Sequence, residues 1–117
     1  MRDLDQPGRT AAIAENGMAA TSHPDGTLAA LDVLRGGGNA VDAAIAAVAV
    51  LGVVESAMTG VGGDCFVLYS PKRGEPIALN GSGRAMGKAT VDWFLEQGIS
   101  EIDQDSAHAV TIPGAVD

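Results

Sequence analysis

"GGGNAVDAAIAAVAVLGVV", residues 36–54, places three glycines in front of a long run of alanine and valine. Its uncharged part, Ala43 to Val54, is bounded by Asp42 on one side and Glu55 on the other. A helix that spans a bilayer needs about 20 consecutive apolar residues, and this run is too short. The stretch therefore predicts a buried helix of a globular protein and argues against a membrane span.

The start of this helix can be read from its first polar residues. Asn39 is a candidate N-cap, and Asp42 lies three residues later, where a carboxylate favours the positive end of a helix. We expect a helix over residues 40–53. Its alanines would let it pack closely on more than one side, as in a layered structure of helices and sheets larger than 117 residues.

Glycines before a helix also raise the hypothesis of a phosphate site. A dinucleotide-binding motif has the order strand, G-x-G-x-x-G, helix. "GVGGDC", residues 60–65, instead leads from a helix into a strand. "GGGN", residues 36–39, does precede a helix, but Asp42 would compete with an anion there. A phosphate-binding module is therefore only the third hypothesis for this chain.

Composition excludes other classes of function. The formal charge is −8 with no basic cluster, which argues against nucleic-acid binding. The first ten residues lack the apolar segment of a secretory signal, and Cys65 is the only cysteine, so no internal disulfide forms. We therefore expect a cytoplasmic location and no membrane association. Aromatic residues make up only 3% of the chain, which leaves a thin core for a solitary domain.

The remaining pattern predicts an α+β chain. A helix is expected over residues 24–35, with Leu28, Leu31 and Leu34 facing a core. A third expected helix is capped by Thr90 and ends at Gly98. Strands are expected over residues 11–14 and 17–21, joined at Asn16-Gly17, and over residues 64–70, 76–80 and 109–112.

Several polar and aromatic residues are of types that also occur in functional sites. His23 and His108 lie far apart in the sequence, and no cysteine or acidic residue stands at a metal-ligand spacing from them. No metal site is therefore expected. Cys65 at the start of an apolar strand is more typical of an inert, buried thiol. Asp64 either orients a turn or approaches a site. Trp93 and Phe94 are expected to anchor their helix.

Four segments of the sequence, of which the first two form the most specific pair, resemble a known protein family. "GGNAVDAAIA" followed by "TGVGGD", and then "ALNGSGRA" and "AVTIPGAVD", resemble the N-terminal part of the large subunit of gamma-glutamyltranspeptidases, also called glutathione hydrolases. The resemblance runs from about Met18 to Asp117. It implies part of the four-layer αββα sandwich of the N-terminal-nucleophile hydrolases, here truncated. Residues 1–117 would then be an N-terminal portion that is incomplete at its C-terminal end.

The resemblance also implies a chemistry. Members are proenzymes that cleave themselves and free a threonine, which attacks the γ-glutamyl amide to form an acyl-enzyme. That threonine begins the small subunit, so no catalytic residue is expected in this chain, and no cofactor or metal is implied. None of the six threonines matches its position: Thr10, Thr21, Thr27, Thr59, Thr90 and Thr111. The implied partners are a γ-glutamyl substrate, the rest of the large subunit and the small subunit.

One substrate-binding residue follows from the resemblance. The family's arginine that binds the α-carboxylate of the γ-glutamyl group corresponds to Arg84 in "NGSGRAM". From the residues alone, Arg84 is more typical of a solvated loop residue, and only the resemblance favours the binding role. The family commonly continues with Glu and Ala-Pro, whereas Ala85, Met86 and Gly87 follow here, and Ser56 replaces a frequent proline. Other amide substrates therefore stay open.

A second hypothesis comes from another class of protein. The absent nucleophile, the thin core and the abrupt end of the sequence are also compatible with a non-catalytic module that binds a partner or forms a homo-oligomer through an uncovered sheet.

Overall fold

The computed structural model of the protein describes residues 11–116. The prediction about a secretory signal falls on residues 1–10 and so lies outside the described residues. The described elements form an α+β arrangement, as expected, and the chain divides into two compact units, Met1–Ser56 and Ala57–Asp117. The first unit contains two helices and the second contains a hairpin and a short helix.

The first helix, α1, spans Pro24–Arg35, and this matches the predicted bounds. His23 is the N-cap, and its Nδ1 accepts a hydrogen bond from the Asp25 amide at 3.2 Å. Pro24 follows in the first turn, where its missing N–H has no intrahelical partner to lose. Just after the C-terminus, Gly37 has a positive φ of 89°, a conformation that glycine adopts readily.

The second helix, α2, spans Ala40–Val54, one residue longer than predicted. Asn39 Oδ1 accepts hydrogen bonds from the amides of Val41 at 2.8 Å and Asp42 at 3.0 Å. The Asp42 carboxylate in turn accepts a hydrogen bond from the Asn39 amide at 3.2 Å. This reciprocal capping box satisfies amides that have no partner inside the helix, so the helix begins where its side chains allow it.

Replacing Asn39 with alanine tests this cap. We expect the free energy of unfolding to fall by about 1 kcal/mol, because two helix amides lose their acceptor. Asn39→Ser is the matched control, because the serine hydroxyl can still cap the helix. Its free energy of unfolding should fall by clearly less than that of Asn39→Ala. The measurement is urea unfolding of wild type and both variants, fitted with one common slope of the free energy of unfolding against urea concentration. Equal losses for Ala and Ser would mean that the side-chain cap contributes nothing.

The two helices pack through small side chains. The buried residues of this core are Ala30, Ala43 and Ala47, and the partly buried side chains of Ala19, Val33 and Leu34 pack against it. Gly26 is also buried, and a Cβ added there would lie 2.9 Å from Leu51 Cδ2, so only glycine fits without a shift. The helices approach closely because their contact residues are this small.

One expectation for this core is wrong. Leu28 was expected to face it but is 52% exposed, whereas Leu31 and Leu34 are half-buried. Leu28 lies two residues before Ala30, on nearly the opposite side of α1 from the helix contact. On α2 the buried side chains recur at every fourth residue, so within the described residues only one face of that helix is covered.

The second unit begins with an antiparallel hairpin. Strand β1 spans Cys65–Tyr69, one residue shorter at each end than predicted, and strand β2 spans Ile77–Gly81, shifted by one residue from the prediction. Cys65 pairs with Gly81, and Tyr69 pairs with Ile77. This register places the residues before β1 beside the residues after β2, at the open end of the hairpin.

The hairpin predicted near the start of the described chain is not formed. Residues 11–14 and 17–21 are not strands, although Gly17 does have a positive φ of 147°. These segments are rich in alanine, whose side chains offer little cross-strand contact. Ala19 packs on the helix core instead.

The predicted strand over residues 109–112 is also absent. Ala107–Ala109 forms a single turn of 3-10 helix, Val110 after it is extended, and residues 110–112 form no ladder. The Ile112 amide donates one hydrogen bond to the Arg84 carbonyl at 2.9 Å. Pro113 follows directly and has no N–H, so the pairing cannot continue.

The last helix, α3, spans Val91–Glu96 and is capped by Thr90, whose hydroxyl accepts from the Trp93 amide at 3.2 Å. Gly98 follows with a positive φ of 74°. None of the helices between residues 11 and 116 has the length and apolar character needed to cross a membrane.

Candidate functional site

Arg84 lies in the loop that directly follows β2. Its side chain is exposed, and its backbone carbonyl accepts the hydrogen bond from Ile112. Among the described residues, the ion pairs are His23–Asp25 and Arg35–Asp32, so no described carboxylate pairs with the Arg84 guanidinium. Within the described part of the chain the Arg84 guanidinium therefore has no ion-pair partner, while the Arg84 backbone carbonyl is hydrogen-bonded.

The Asp64 carboxylate organises the loop that carries Arg84. Asp64 immediately precedes β1, and its Oδ1 accepts hydrogen bonds from the Gly83 amide at 2.8 Å and from Thr111 Oγ1 at 3.2 Å. Its Oδ2 accepts a longer one from Ser82 Oγ at 3.5 Å. One side chain thus joins the loop after β2 to a segment far along the sequence. Of the two roles that the sequence left open for Asp64, the contacts are those of a residue that orients a turn.

Backbone contacts hold the same three segments together. The Gly63 carbonyl accepts hydrogen bonds from the amides of Gly114 at 3.1 Å and Ala115 at 3.0 Å. Gly83 lies so close to residues 111 and 112 that an added Cβ would overlap the Ile112 carbonyl oxygen and the Thr111 hydroxyl. Glycine is needed here for close approach of two backbones. We call the meeting point of residues 63–64, 81–84 and 111–115 the Asp64 junction.

This arrangement suits the recognition of a carboxylate. A guanidinium presents its donors in a planar fork that matches the two oxygens of a carboxylate, and the two parallel hydrogen bonds are charge-assisted. A loop already bonded at Gly83 and at the Arg84 carbonyl loses less conformational freedom when a ligand binds. Between residues 11 and 116, no cluster of three or more His, Cys, Asp or Glu residues could hold a metal ion.

The other candidate residues lie outside this junction, except Cys65 at its edge. Cys65 is a free, half-buried thiol at the start of β1. Trp93, Phe94 and His108 form an aromatic cluster, in which the His108 ring lies 5.4 Å from Phe94 and 5.9 Å from Trp93, centre to centre. Trp93 and Phe94 thus anchor α3 against the 3-10 turn, in agreement with the expected structural role. His23 serves as a helix cap.

Sequence reasoning missed the partners of Asp64. The sequence pattern places Thr111 in a predicted strand and Ser82 and Gly83 in a loop, and it gives no sign that they contact Asp64. They are separated from Asp64 by 47, 18 and 19 positions. The one available signal was the recurrence of small residues in "GVGGD", "NGSGR" and "TIPG", which permits three backbones to approach each other.

Comparison with known proteins identifies the family. The family model described as gamma-glutamyltranspeptidase matches residues 26–117. This chain belongs to the gamma-glutamyltranspeptidase family. The match includes the whole Asp64 junction and Arg84, and it confirms the family that the linked glycine motifs indicate.

Individual relatives agree with this assignment. The chain is 41% identical over 85 residues to the oxamate amidohydrolase proenzyme of Klebsiella pneumoniae subsp. pneumoniae, covering 73% of this chain and 16% of that protein. It is 40% identical over 86 residues to the glutathione hydrolase proenzyme of Bacillus subtilis, covering 73% of this chain and 15% of that protein. The chain therefore spans less than a fifth of the length of these two relatives.

A solved structure gives the same result for the fold. The crystal structure of Helicobacter pylori gamma-glutamyltranspeptidase superposes with a TM-score of 0.79 at 35% identity, covering 92% of this chain and 32% of that one. The α+β fold of this gamma-glutamyltranspeptidase-family chain thus resembles the corresponding part of a family member.

Proposed function

We propose that this chain is the N-terminal part of the large subunit of an amide hydrolase or transferase that acts on γ-glutamyl compounds such as glutathione. The observation that carries the proposal is the exposed Arg84 guanidinium on a loop whose backbone is fixed at the Asp64 junction. Membership of the gamma-glutamyltranspeptidase family and the 40% identity to a protein named glutathione hydrolase proenzyme support it.

In this proposal Arg84 binds the α-carboxylate of the γ-glutamyl group. Two charge-assisted hydrogen bonds from the guanidinium would orient the substrate and so hold its γ-amide in one position for attack. Lysine could supply the charge but not the planar fork. Arg84 is thus a substrate-binding residue, and the reacting groups come from outside this chain.

The proposed reaction uses an N-terminal threonine of the small subunit. Its hydroxyl oxygen attacks the γ-amide carbonyl carbon while its own α-amino group takes the hydroxyl proton. The amide C–N bond then breaks, and the amine leaves with that proton. Water, or an acceptor amine, attacks the resulting ester and releases the γ-glutamyl group.

The proposed setting is a four-layer αββα sandwich. Both faces of the β1–β2 hairpin carry exposed apolar side chains, among them Phe66, Leu68, Ile77 and Leu79. An apolar surface of this kind normally packs against further structure. We infer that the remaining large-subunit segment and the small subunit cover it. The same surface is what a homo-oligomeric module would use, but family membership favours the enzyme.

A second candidate substrate class is supported by two observations. The chain is 41% identical to a protein named oxamate amidohydrolase proenzyme, and Ala85 stands where the family commonly has glutamate. Oxamate also joins a carboxylate to an amide, but without the intervening carbons of a γ-glutamyl group. Arg84 would bind the carboxylate in both cases, so the two substrates differ in how far the amide lies from the guanidinium.

The proposal predicts self-cleavage of the full-length protein. Intact mass measurement and N-terminal sequencing of protein purified from its native locus should give two fragments, the smaller beginning with threonine. Replacing that threonine with alanine should leave a single uncleaved species, because the nucleophile is lost. A single wild-type species ending at Asp117 would contradict the proposal and would favour the non-catalytic module.

A further inference from the structure

The Asp64 carboxylate accepts hydrogen bonds both from the loop that carries Arg84 and from a segment far along the sequence. Its Oδ1 receives both shorter hydrogen bonds, from the Gly83 amide at 2.8 Å and from Thr111 Oγ1 at 3.2 Å. The Gly83 amide belongs to the peptide group immediately before the one that joins Gly83 to Arg84. A carboxylate that holds this amide fixes the backbone from which the arginine side chain extends.

The opposite side of Arg84 is fixed by the same distant segment. The Arg84 carbonyl accepts from the Ile112 amide at 2.9 Å, one residue after Thr111. Thr111 thus links Asp64 to the segment whose Ile112 amide donates to the Arg84 carbonyl. Because the two segments are in van der Waals contact at Gly83, a shift of either one moves the other.

We propose that Asp64 is a positioning residue for carboxylate recognition by Arg84. Asp64 is not expected to touch the substrate. It keeps the loop in the conformation that binds, so the substrate does not have to order the loop when it arrives. The inference rests on the proposed function, namely that Arg84 binds the carboxylate of an amide substrate.

The negative charge of Asp64 also has a consequence for the substrate. A carboxylate beside Arg84 could pair with the guanidinium in place of the substrate. The three donors of the Asp64 junction instead occupy both Asp64 oxygens. Among the described residues no ion pair joins Asp64 to Arg84, so Asp64 does not take the place of a ligand carboxylate there.

The test uses steady-state kinetics of the processed full-length enzyme with a carboxylate-bearing amide substrate. Asp64→Ala should raise KM about tenfold while kcat changes much less, because a ground-state binding contact is weakened. Asp64→Asn should rescue most of this loss, since its amide oxygen still accepts from Gly83 and Thr111. Asp105→Ala, in an exposed loop of the same unit, is the matched control.

A double-mutant cycle separates positioning from a general structural role. In an Arg84→Ala background, Asp64→Ala should have little further effect on KM, because the contact that it positions is already gone. If Asp64→Ala does not fold, Thr111→Val provides the second test and should raise KM by a smaller factor. Additive effects, or an unchanged KM in Asp64→Ala or Thr111→Val, would overturn the inference.

The same cycle distinguishes the inference from the proposal beneath it. An unchanged KM and kcat in Arg84→Ala alone would overturn both, since Arg84 would then bind no carboxylate. A strong effect of Arg84→Ala with none from Asp64→Ala would leave the proposed function standing and remove only the role of Asp64. Equal losses in kcat with every substrate, together with a lower Tm, would show that Asp64 is merely structural.

Discussion

Arg84→Ala in the processed enzyme is expected to lower kcat/KM for a γ-glutamyl substrate about a hundredfold. Two charge-assisted hydrogen bonds to the α-carboxylate are lost, and each contributes about 1.5 kcal/mol. Their sum of about 3 kcal/mol corresponds to a factor of about 100. Most of the change should appear in KM, because the carboxylate is bound equally in the ground state and in the transition state.

Two further variants make this prediction specific. Arg84→Lys keeps the charge but not the planar fork, so we expect its kcat/KM to lie between the values of wild type and Arg84→Ala. Arg73→Ala removes an exposed arginine from the turn between β1 and β2 and should leave kcat/KM unchanged. A wild-type kcat/KM in Arg84→Ala would rule out Arg84 as the carboxylate-binding residue.

The same kinetic measurements distinguish the two candidate substrates. Wild type and Arg84→Ala should each be assayed with a γ-glutamyl amide and with oxamate. The physiological class is the one that wild type uses with the higher kcat/KM and that loses more in Arg84→Ala. If Arg84→Ala affects neither substrate, the shared carboxylate site is elsewhere.

Gly83→Ala is expected to damage both stability and binding. An added Cβ would lie 2.7 Å from Thr111 Cβ and closer still to the Ile112 carbonyl oxygen. Because that oxygen belongs to the backbone, it cannot rotate away as a flexible side chain would. We expect a loss of about 2–3 kcal/mol in the free energy of unfolding, as in other overpacked sites. KM for the amide substrate should also rise, because the loop that carries Arg84 must shift.

Gly62→Ala is the matched control for this prediction. Gly62 belongs to the same glycine-rich unit, and no described atom lies within 4 Å of a Cβ added there. Its φ is not in the positive region, so alanine fits the backbone. Thermal unfolding and KM should both stay near wild type in Gly62→Ala. If the two variants behave alike, the close contact of Gly83 with residues 111 and 112 is not important for stability.

Local signals predicted the helices well. The starts of α1, α2 and α3 follow from His23-Pro24, Asn39 and Thr90, because a cap acts on amides two or three residues away. The β1–β2 hairpin was predictable for a similar reason, since two short apolar runs flank a turn. The three wrongly predicted strands fail for other reasons. Residues 11–14 and 17–21 flank a turn but are rich in alanine, whose side chains offer little cross-strand contact, and residues 109–112 run into Pro113.

The candidate site was predictable only in part. The family resemblance pointed to Arg84, whereas the residues around it are by themselves more typical of a solvated loop. Nothing local connects Asp64 with Thr111, because 47 positions separate them. Their contact depends on the hairpin register, which pairs Cys65 with Gly81, and on the return of residues 111–115 to Gly63.

The sequence by itself determined the family, the two helices of the first unit and the position of Arg84 directly after β2. These features depend on short-range chemistry: caps, glycine at turns, and linked motifs that are close in the chain. Only the tertiary structure decided that Asp64 holds the Arg84 loop and that Gly83 must be glycine. A hydrogen bond or a steric contact between distant residues exists only once folding has brought their backbones together, so no local pattern can specify it.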